Sequence, residues 1–186
     1  MQQNKKALLI LNKKARNGTY RQADIIVLCE SYGLTLTVPD DDPDIALADV
    51  IRRHAHQCEL VIIGGGDGTL NLAAQALIDT QLPLGILPLG TANDLARTLG
   101  IAPEVKSALR TIASGKTRRI DLGEVNNQLF FNVSSIGFSA SLARNLTSQM
   151  KKKWGTLGYA LAAIKILKQS RPFSATIIHD LSLIHI

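Results

Sequence analysis

The residues best suited to do chemistry lie in one glycine-rich stretch, GGGDGT, which runs from Gly64 to Thr69. Glycine adopts positive φ readily and lets a ligand approach the backbone closely. The first N–H groups of a following helix lack partners within it, and the helix dipole favours an anion, so the stretch predicts phosphate binding. Thr69 is expected to cap that helix. A carboxylate beside a phosphate is repulsive unless a metal ion or a proton transfer uses it. Asp67 therefore favours a catalytic loop over a turn that only serves the fold.

Three polar loops are expected to meet at one edge of a parallel sheet. Apolar runs predict strands at Lys6–Leu11, Leu60–Ile63 and Leu84–Leu87. The first is followed by Asn12, the second by the glycine loop, and the third by another loop that contains Gly90. Helical patterns separate the strands, and the order βαβαβαβα predicts a parallel sheet flanked by helices. Ligands of such sheets lie beyond the carboxyl ends of the strands, where these loops emerge.

Further elements complete the predicted organisation. A helix over residues 19–32 should end at Gly33, a second strand should span Leu34–Val38, and Asp42 should cap a helix over Asp44–Gln57. The helix after the glycine loop should stop near Asp79. Another should run from Pro103 to Ser114-Gly115, before a β-hairpin that turns at Asn126-Asn127. We place a domain boundary at this change of pattern, which gives an α/β domain over residues 1–122 and the start of a β-rich domain over residues 123–186.

The charge pattern indicates either an anionic partner or a solvated, lysine-rich face. The net charge is +6, and acidic and basic side chains cancel through Glu124, so the excess lies in the last third. Sparse aromatic residues argue against nucleic acid there. The apolar run Trp154–Leu167 is too short to span a bilayer and is expected to be buried or to touch lipid. Cys29 and Cys58 have no motif spacing, which is typical of reduced thiols in a cytosolic protein.

Four segments together resemble one known family. They are the glycine loop, residues 84–97 (LGILPLGTANDLAR), residues 120–125 (IDLGEV) and residues 131–138 (FNVSSIGF). In this order they are similar to the catalytic domain of the diacylglycerol-kinase-like lipid kinases, above all the bacterial ones, and the resemblance runs from about Lys6 to about Asp180. The GGDGT motif is less specific, because NAD kinases share it and phosphofructokinases carry a near copy. The resemblance implies a sheet of the NAD-kinase/phosphofructokinase-like kind, followed by a β-sandwich domain.

The resemblance also implies an activity, ATP-dependent transfer of the γ-phosphoryl group to a lipid hydroxyl such as that of diacylglycerol, with Mg²⁺. The implied catalytic residues are Asp67, which would orient the acceptor or handle its proton, and Arg97, which would steady the transferred charge. Asp94 and Asp121 would join a water-mediated Mg²⁺ network; their structural alternatives are a helix N-cap and an exposed strand residue. Residues implied in nucleotide binding are Asn12, Gly64, Gly65, Gly66, Asp67, Gly68, Thr69, Asn71 and Thr91.

An enzyme of this kind is expected in the cytoplasm, peripheral at the inner membrane surface. The residues Lys151–Lys153 and the run Trp154–Leu167 would help it dock on anionic lipid. A homodimer is left open.

The sequence departs from the family pattern in three places. The first loop lacks the usual proline after Asn12, and Asp40–Asp44 replaces a usual threonine motif. The chain also ends as the β-sandwich domain begins, and Leu181–Ile186 does not match that domain, so this polypeptide alone is expected to be weak or inactive. Two alternatives remain, a soluble NAD kinase-like enzyme and a non-catalytic nucleotide-binding fragment.

Overall fold

The computed structural model describes residues 4–12, 22–40, 42 and 44–133, together with the backbone of residues 176–179 and 182–185. Its contacts divide the chain into two compact units, Met1–Val133 and Ser134–Ile186. The first unit contains, in order, β1 (Lys5–Leu11), α1 (Gln22–Ser31), β2 (Leu34–Thr37), α2 (Leu47–His54) with a 3₁₀ turn (Ala55–Gln57), β3 (Leu60–Gly65), α3 (Asp67–Thr80), β4 (Leu84–Pro88), α4 (Asp94–Thr98), α5 (Val105–Ala113), β5 (Gly123–Val125) and β6 (Gln128–Phe130).

The first four strands form one parallel sheet in the order β2-β1-β3-β4. This confirms the predicted fold class, a parallel sheet with helices between its strands. Parallel pairing requires a crossover between strands, and α1, α2 and α3 lie in those connections. The carboxyl ends of β1, β3 and β4 therefore share one edge of the sheet.

Helices cover both faces of the sheet, and the strand side chains alternate between these two faces. On one face, Leu9, Ile62 and Leu87 pack in a cluster that includes Cys29 of α1 and Leu109 of α5. On the other face, Leu8, Ile63 and Ile86 belong to a cluster that includes Ile51 of α2 and Leu70 of α3. Helices therefore pack on both faces of the sheet and hold in place the strands from which the polar loops emerge.

The predicted start of the helix after Asp42 is wrong. The capping prediction for Asp42 fails, because its Oδ1 accepts from Asp44 N at 3.0 Å in a local turn and α2 begins only at Leu47, after Ala46. By contrast, Gly33 ends α1 as predicted, with φ of +77° and its N–H donating to Glu30 O at 2.9 Å.

The hairpin after the α/β elements has the predicted turn. Asn126 and Asn127 both have positive φ, as a two-residue type I′ turn requires. Its two strands are short, since β5 begins at Gly123 and β6 ends at Phe130. The compact unit ends after Val133. Because a unit defined by contacts need not match an independently folding domain, the boundary after Leu122 stays a prediction.

The second unit is described only by an antiparallel pair, β7 (Thr176–His179) and β8 (Ser182–His185). Some of the residues discussed above lie outside the described ones: the residues that directly follow Asn12, residues 134–138 of the last family segment, Lys151–Lys153 and Trp154–Leu167. Across the helices that the structure does describe, none combines the length and apolarity needed to cross a membrane.

Candidate active site

The polar loops converge at the carboxyl edge of the sheet. The backbone N–H of Asn12, directly after β1, donates to Gly64 O at 2.8 Å. The N–H of Leu89, directly after β4, donates to Gly65 O at 3.0 Å. The end of β3 is therefore hydrogen-bonded to the chain on both sides, and the first glycine loop starts from a fixed position.

The two glycine loops approach each other so closely that neither Gly66 nor Gly90 has room for a side chain. A Cβ built on Gly66 would lie 3.1 Å from the Cα of Gly90, and a Cβ on Gly90 would collide with the Cα of Gly66. Gly64 is also enclosed, since its Cβ would meet the side chains of Leu11 and Leu89. The glycines at these three positions serve close backbone packing, a role that adds to the ligand approach predicted from the sequence.

Thr69 lies in the first turn of α3 and does not cap it, so the capping prediction is wrong. The N-cap is Gly66, which has no side chain to bond the helix, and the N–H of Thr69 donates to Gly66 O at 2.9 Å. The Thr69 hydroxyl instead accepts from Asn12 Nδ2 at 2.8 Å. This bond joins the loop after β1 to the start of α3, two segments that the sequence implicated separately in nucleotide binding.

Asp67 links the two glycine loops. Its half-buried carboxylate accepts a hydrogen bond from the backbone N–H of Leu95 at 2.9 Å. Leu95 is the second residue of α4, so Asp67 satisfies one of the amides that the short helix leaves without a partner. A capping residue normally precedes its own helix in sequence. Here the cap comes from another helix, which sequence reasoning did not foresee.

Asn93 is a further residue that sequence reasoning missed. It has a left-handed backbone, with φ of 51° and ψ of 47°. Its Oδ1 accepts from Gly90 N at 2.9 Å, and its Nδ2 donates to Gly90 O at 3.1 Å and to Pro88 O at 3.3 Å. Asparagine is among the few residues that adopt this backbone readily. The sequence signal was the asparagine that directly precedes a helix and follows a glycine turn.

Asp94 and Arg97, one turn apart on α4, form an exposed ion pair. The N-cap of α4 is Asn93, so the alternative role of Asp94 as N-cap is excluded. Asp121 is exposed and lies just before β5, so its alternative as a strand residue is also wrong. Within the described residues, no three histidine, cysteine, aspartate or glutamate side chains are grouped to hold a metal ion.

The remaining predicted residues border this region. Asn71, on the exposed side of α3, accepts from Phe131 N at 3.2 Å and so ties the hairpin to the helix. Thr91 is exposed and lines an open pocket of about 460 Å³ beside the second glycine loop. The pocket wall combines Arg97 and Asn93 with the apolar side chains of Ala96, Ile101 and Pro103. The structure thus brings together Asn12, the first glycine loop and the Gly90 loop, whereas no described contact joins Asp121 to them.

These features define a class of α/β protein in which a parallel sheet presents paired glycine loops at the carboxyl ends of its strands. Within this class, the sequence model of the diacylglycerol kinase catalytic domain matches residues 6–125, and the chain belongs to that family.

Two curated relatives illustrate the match. Diacylglycerol kinase from Bacillus subtilis (strain 168) is 38% identical over 125 residues, which cover 66% of this chain and 41% of the relative. A probable lipid kinase YegS-like protein from Pseudomonas aeruginosa is 38% identical over 162 residues, covering 86% and 53%. The chain therefore spans about half the length of the curated relatives that it matches.

Solved structures agree on the fold. A diacylglycerol kinase from Bacillus anthracis superimposes with a TM-score of 0.69 at 24% identity, covering all of this chain and 62% of that one. A second Bacillus anthracis structure gives a TM-score of 0.72 at 28% identity, covering 97% and 61%. These neighbours support the NAD kinase-like arrangement of the sheet and its helices.

Proposed function

We propose that the protein is a lipid kinase that transfers the γ-phosphoryl group of ATP to a lipid hydroxyl such as that of diacylglycerol. The observation that supports this best is the open backbone at the amino end of α3, where a Cβ on Gly68 would meet nothing within 4 Å. A polyphosphate can approach the backbone there, and membership of the family makes ATP and a lipid alcohol the natural substrates.

Phosphate binding is proposed at the amino end of α3. The first hydrogen bonds within the helix run from the N–H groups of Thr69 and Leu70 to Gly66 O, at 2.9 and 3.2 Å. The amides of Asp67 and Gly68 precede these bonds and are directed along the helix axis toward the ligand side. A Cβ on Gly68 would meet nothing within 4 Å, so a phosphate can come close to the backbone. The dipole of this 14-residue helix favours the phosphate charge.

Side chains around the loops would hold the rest of the nucleotide. Asn12, joined to Thr69, and Thr91, on the open pocket, are proposed to line the nucleotide site. Asn71 would contribute through its side-chain NH₂ group, because the amide oxygen already accepts from Phe131 N in the hairpin. Arg97 is proposed to neutralise the transferred phosphate. Its side chain is 72% exposed, and an exposed ion pair such as that with Asp94 contributes at most about 1 kcal/mol. The guanidinium group can therefore leave Asp94 and contact a ligand.

Asp67 is proposed to act on the acceptor. In the reaction, the lipid oxygen bonds to the γ-phosphorus while the bond to the oxygen bridging the β- and γ-phosphates breaks, and ADP leaves. The hydroxyl proton has to be taken up. A carboxylate whose orientation is fixed by Leu95 N can accept that hydroxyl as a hydrogen-bond donor, and so orient it or take its proton.

Mg²⁺ remains part of the proposal on chemical grounds. A triphosphate carries several negative charges, and Mg²⁺ usually keeps waters and binds through one or two carboxylates together with substrate phosphates. Asp94 and Asp121 are the proposed carboxylates. Since the described residues do not group three acidic or histidine side chains, the nucleotide itself would have to supply much of the coordination.

The place of action is proposed to be an anionic membrane surface reached from the cytoplasm. The support is the sequence charge, because the whole net excess of +6 follows Glu124. Binding to vesicles that contain anionic lipid, with loss of binding at high salt, is expected. Indifference to both lipid charge and salt would remove this part of the proposal.

The test is transfer from γ-labelled ATP to a panel of lipid alcohols in mixed micelles. It uses this chain and a longer form completed with the C-terminal part of a relative, each with an Asp67→Asn control. Labelling of diacylglycerol or another lipid alcohol by the longer form, absent from the control, is the expected result. Labelling of NAD⁺ without lipid would select the NAD kinase-like alternative, and ATP binding without any transfer would select a nucleotide-binding fragment.

A further inference from the structure

The loop that carries Thr91 is held by one side chain that no part of the proposed reaction uses. Asn93 makes three hydrogen bonds to the turn between β4 and α4: it accepts from Gly90 N at 2.9 Å and donates to Gly90 O at 3.1 Å and Pro88 O at 3.3 Å. Its side chain thus bonds both the N–H and the C=O of one residue. The turn has few other conformations that would preserve all three bonds.

The same turn is bonded to the first glycine loop. Gly90 N also donates to Gly65 O at 3.1 Å, and Leu89 N donates to that oxygen at 3.0 Å. Gly90 therefore shares its N–H between Asn93 and the end of β3. A shift of Gly90 would move it against Gly66, where there is no space for one added carbon atom.

The backbone at Asn93 explains why an asparagine is needed. With φ of 51° and ψ of 47°, the position favours glycine, asparagine or aspartate. Of these, only asparagine supplies both an acceptor for Gly90 N and a donor for the two carbonyl groups. The residue is half-buried and lies in the wall of the pocket beside Thr91 and Arg97.

From this geometry we infer that Asn93 is a positioning residue for the nucleotide: it fixes the Gly90 turn against the first glycine loop and so sets where Thr91 meets ATP. This inference rests on the proposed function. It assigns Asn93 no contact with the reacting atoms. Loss of its side chain should therefore weaken ATP binding and raise the KM for ATP, with a much smaller effect on kcat.

The variant Asn93→Gly tests this, because glycine keeps the left-handed backbone while removing all three side-chain bonds. Asn126→Gly is the matched control, since Asn126 has φ of 50° in the exposed hairpin turn. ATP binding is measured by calorimetry on the chain, and KM and kcat on the longer form. Asn93→Gly should lower ATP affinity and raise KM roughly 10-fold, as expected for about one net hydrogen bond. Asn126→Gly should match the wild type in both.

Asn93→Asp gives a second variant that keeps the acceptor for Gly90 N but replaces the donor by a charged oxygen facing Gly90 O and Pro88 O. A loss of ATP affinity at least as large as that of Asn93→Gly is expected, because the carboxylate repels both carbonyl oxygens and the phosphates. If Asn93→Gly binds ATP as tightly as Asn126→Gly, or lowers kcat and leaves KM unchanged, the positioning role is overturned while the kinase proposal stands. If the wild-type chain binds no ATP, both the proposed function and this role are overturned.

Discussion

The carboxylate of Asp67 accepts a hydrogen bond from the backbone N–H of Leu95 at 2.9 Å, so the first residue of α3 caps α4. The bond joins the two motifs that resemble a kinase site, and it fixes the orientation of the carboxylate. The same side chain therefore has a structural role and a proposed catalytic role, and suitable substitutions distinguish the two.

Asp67→Asn should leave folding nearly intact and abolish transfer. The amide oxygen of asparagine can still accept from Leu95 N, so the free energy of unfolding in urea should change little. Loss of the negative charge should lower the transfer rate by on the order of 100-fold or more. Asp67→Ala also removes the cap and should cost about 1 kcal/mol of stability. If Asp67→Asn transferred phosphate at the wild-type rate, the proposed role of the carboxylate would be wrong.

Substitution by alanine should lower the stability of the protein at Gly90 and raise it at Gly68. At Gly90 the new methyl group collides with the Cα of Gly66, and strain of this kind typically costs about 1–3 kcal/mol. Gly68 is a helical position with open space, so alanine there should stabilise the protein by up to about 1 kcal/mol. The same variant should bind ATP more weakly, because the methyl group lies where a phosphate would approach. Urea unfolding and calorimetry check both. A Gly68→Ala variant that bound ATP normally would place the phosphates elsewhere.

Thr69→Val should weaken the junction between the loop after β1 and α3. Valine has nearly the same shape but removes the hydroxyl that accepts from Asn12 Nδ2 at 2.8 Å, at a cost of about 1 kcal/mol. Both the stability and the ATP affinity should fall, because Asn12 loses its hydrogen bond to Thr69. Thr69→Ser keeps the hydroxyl and is the control. Equal ATP affinities for the two variants would show that the Asn12 bond plays no part in nucleotide binding.

The parallel sheet and its loop positions could be predicted from the sequence because they depend on local patterns. Apolar runs such as Leu60–Ile63 followed by glycine predict strand ends, and connection rules then fix their common edge. Even the turn at Asn126-Asn127 follows from local backbone preference.

What the sequence did not disclose depends on tertiary contact. Thr69 has the residue type of an N-cap, yet its hydroxyl is used by Asn12, which lies 57 residues earlier. Asp67 caps a helix that starts 27 residues later in the chain, and Asn93 bonds backward to a turn. Such partners are set by how two loops pack, and no spacing rule within one loop predicts them.

The buried thiol of Cys29 predicts a loss of stability at alkaline pH. Desolvation by burial, with the nearby charge of Glu30, raises the pKa of Cys29 from 9.0 to about 11. Between these values the unfolded chain releases a proton that the folded chain keeps, so the free energy of unfolding should fall as pH rises from 9 toward 11. Urea midpoints across this range, compared with Cys29→Ala, measure the effect. A pH dependence unchanged in Cys29→Ala would assign it to other groups.

Hydrogen exchange of the chain with and without ATP tests the central claim most directly, because both glycine loops lie within the described α/β unit. The account predicts that ATP slows amide exchange in residues 64–71 and 90–95, and that Gly68→Ala reduces this protection. It also predicts weaker protection by NAD⁺ at equal concentration. If ATP protected neither segment, or if NAD⁺ protected them better, these loops would not be the ATP site of a lipid kinase.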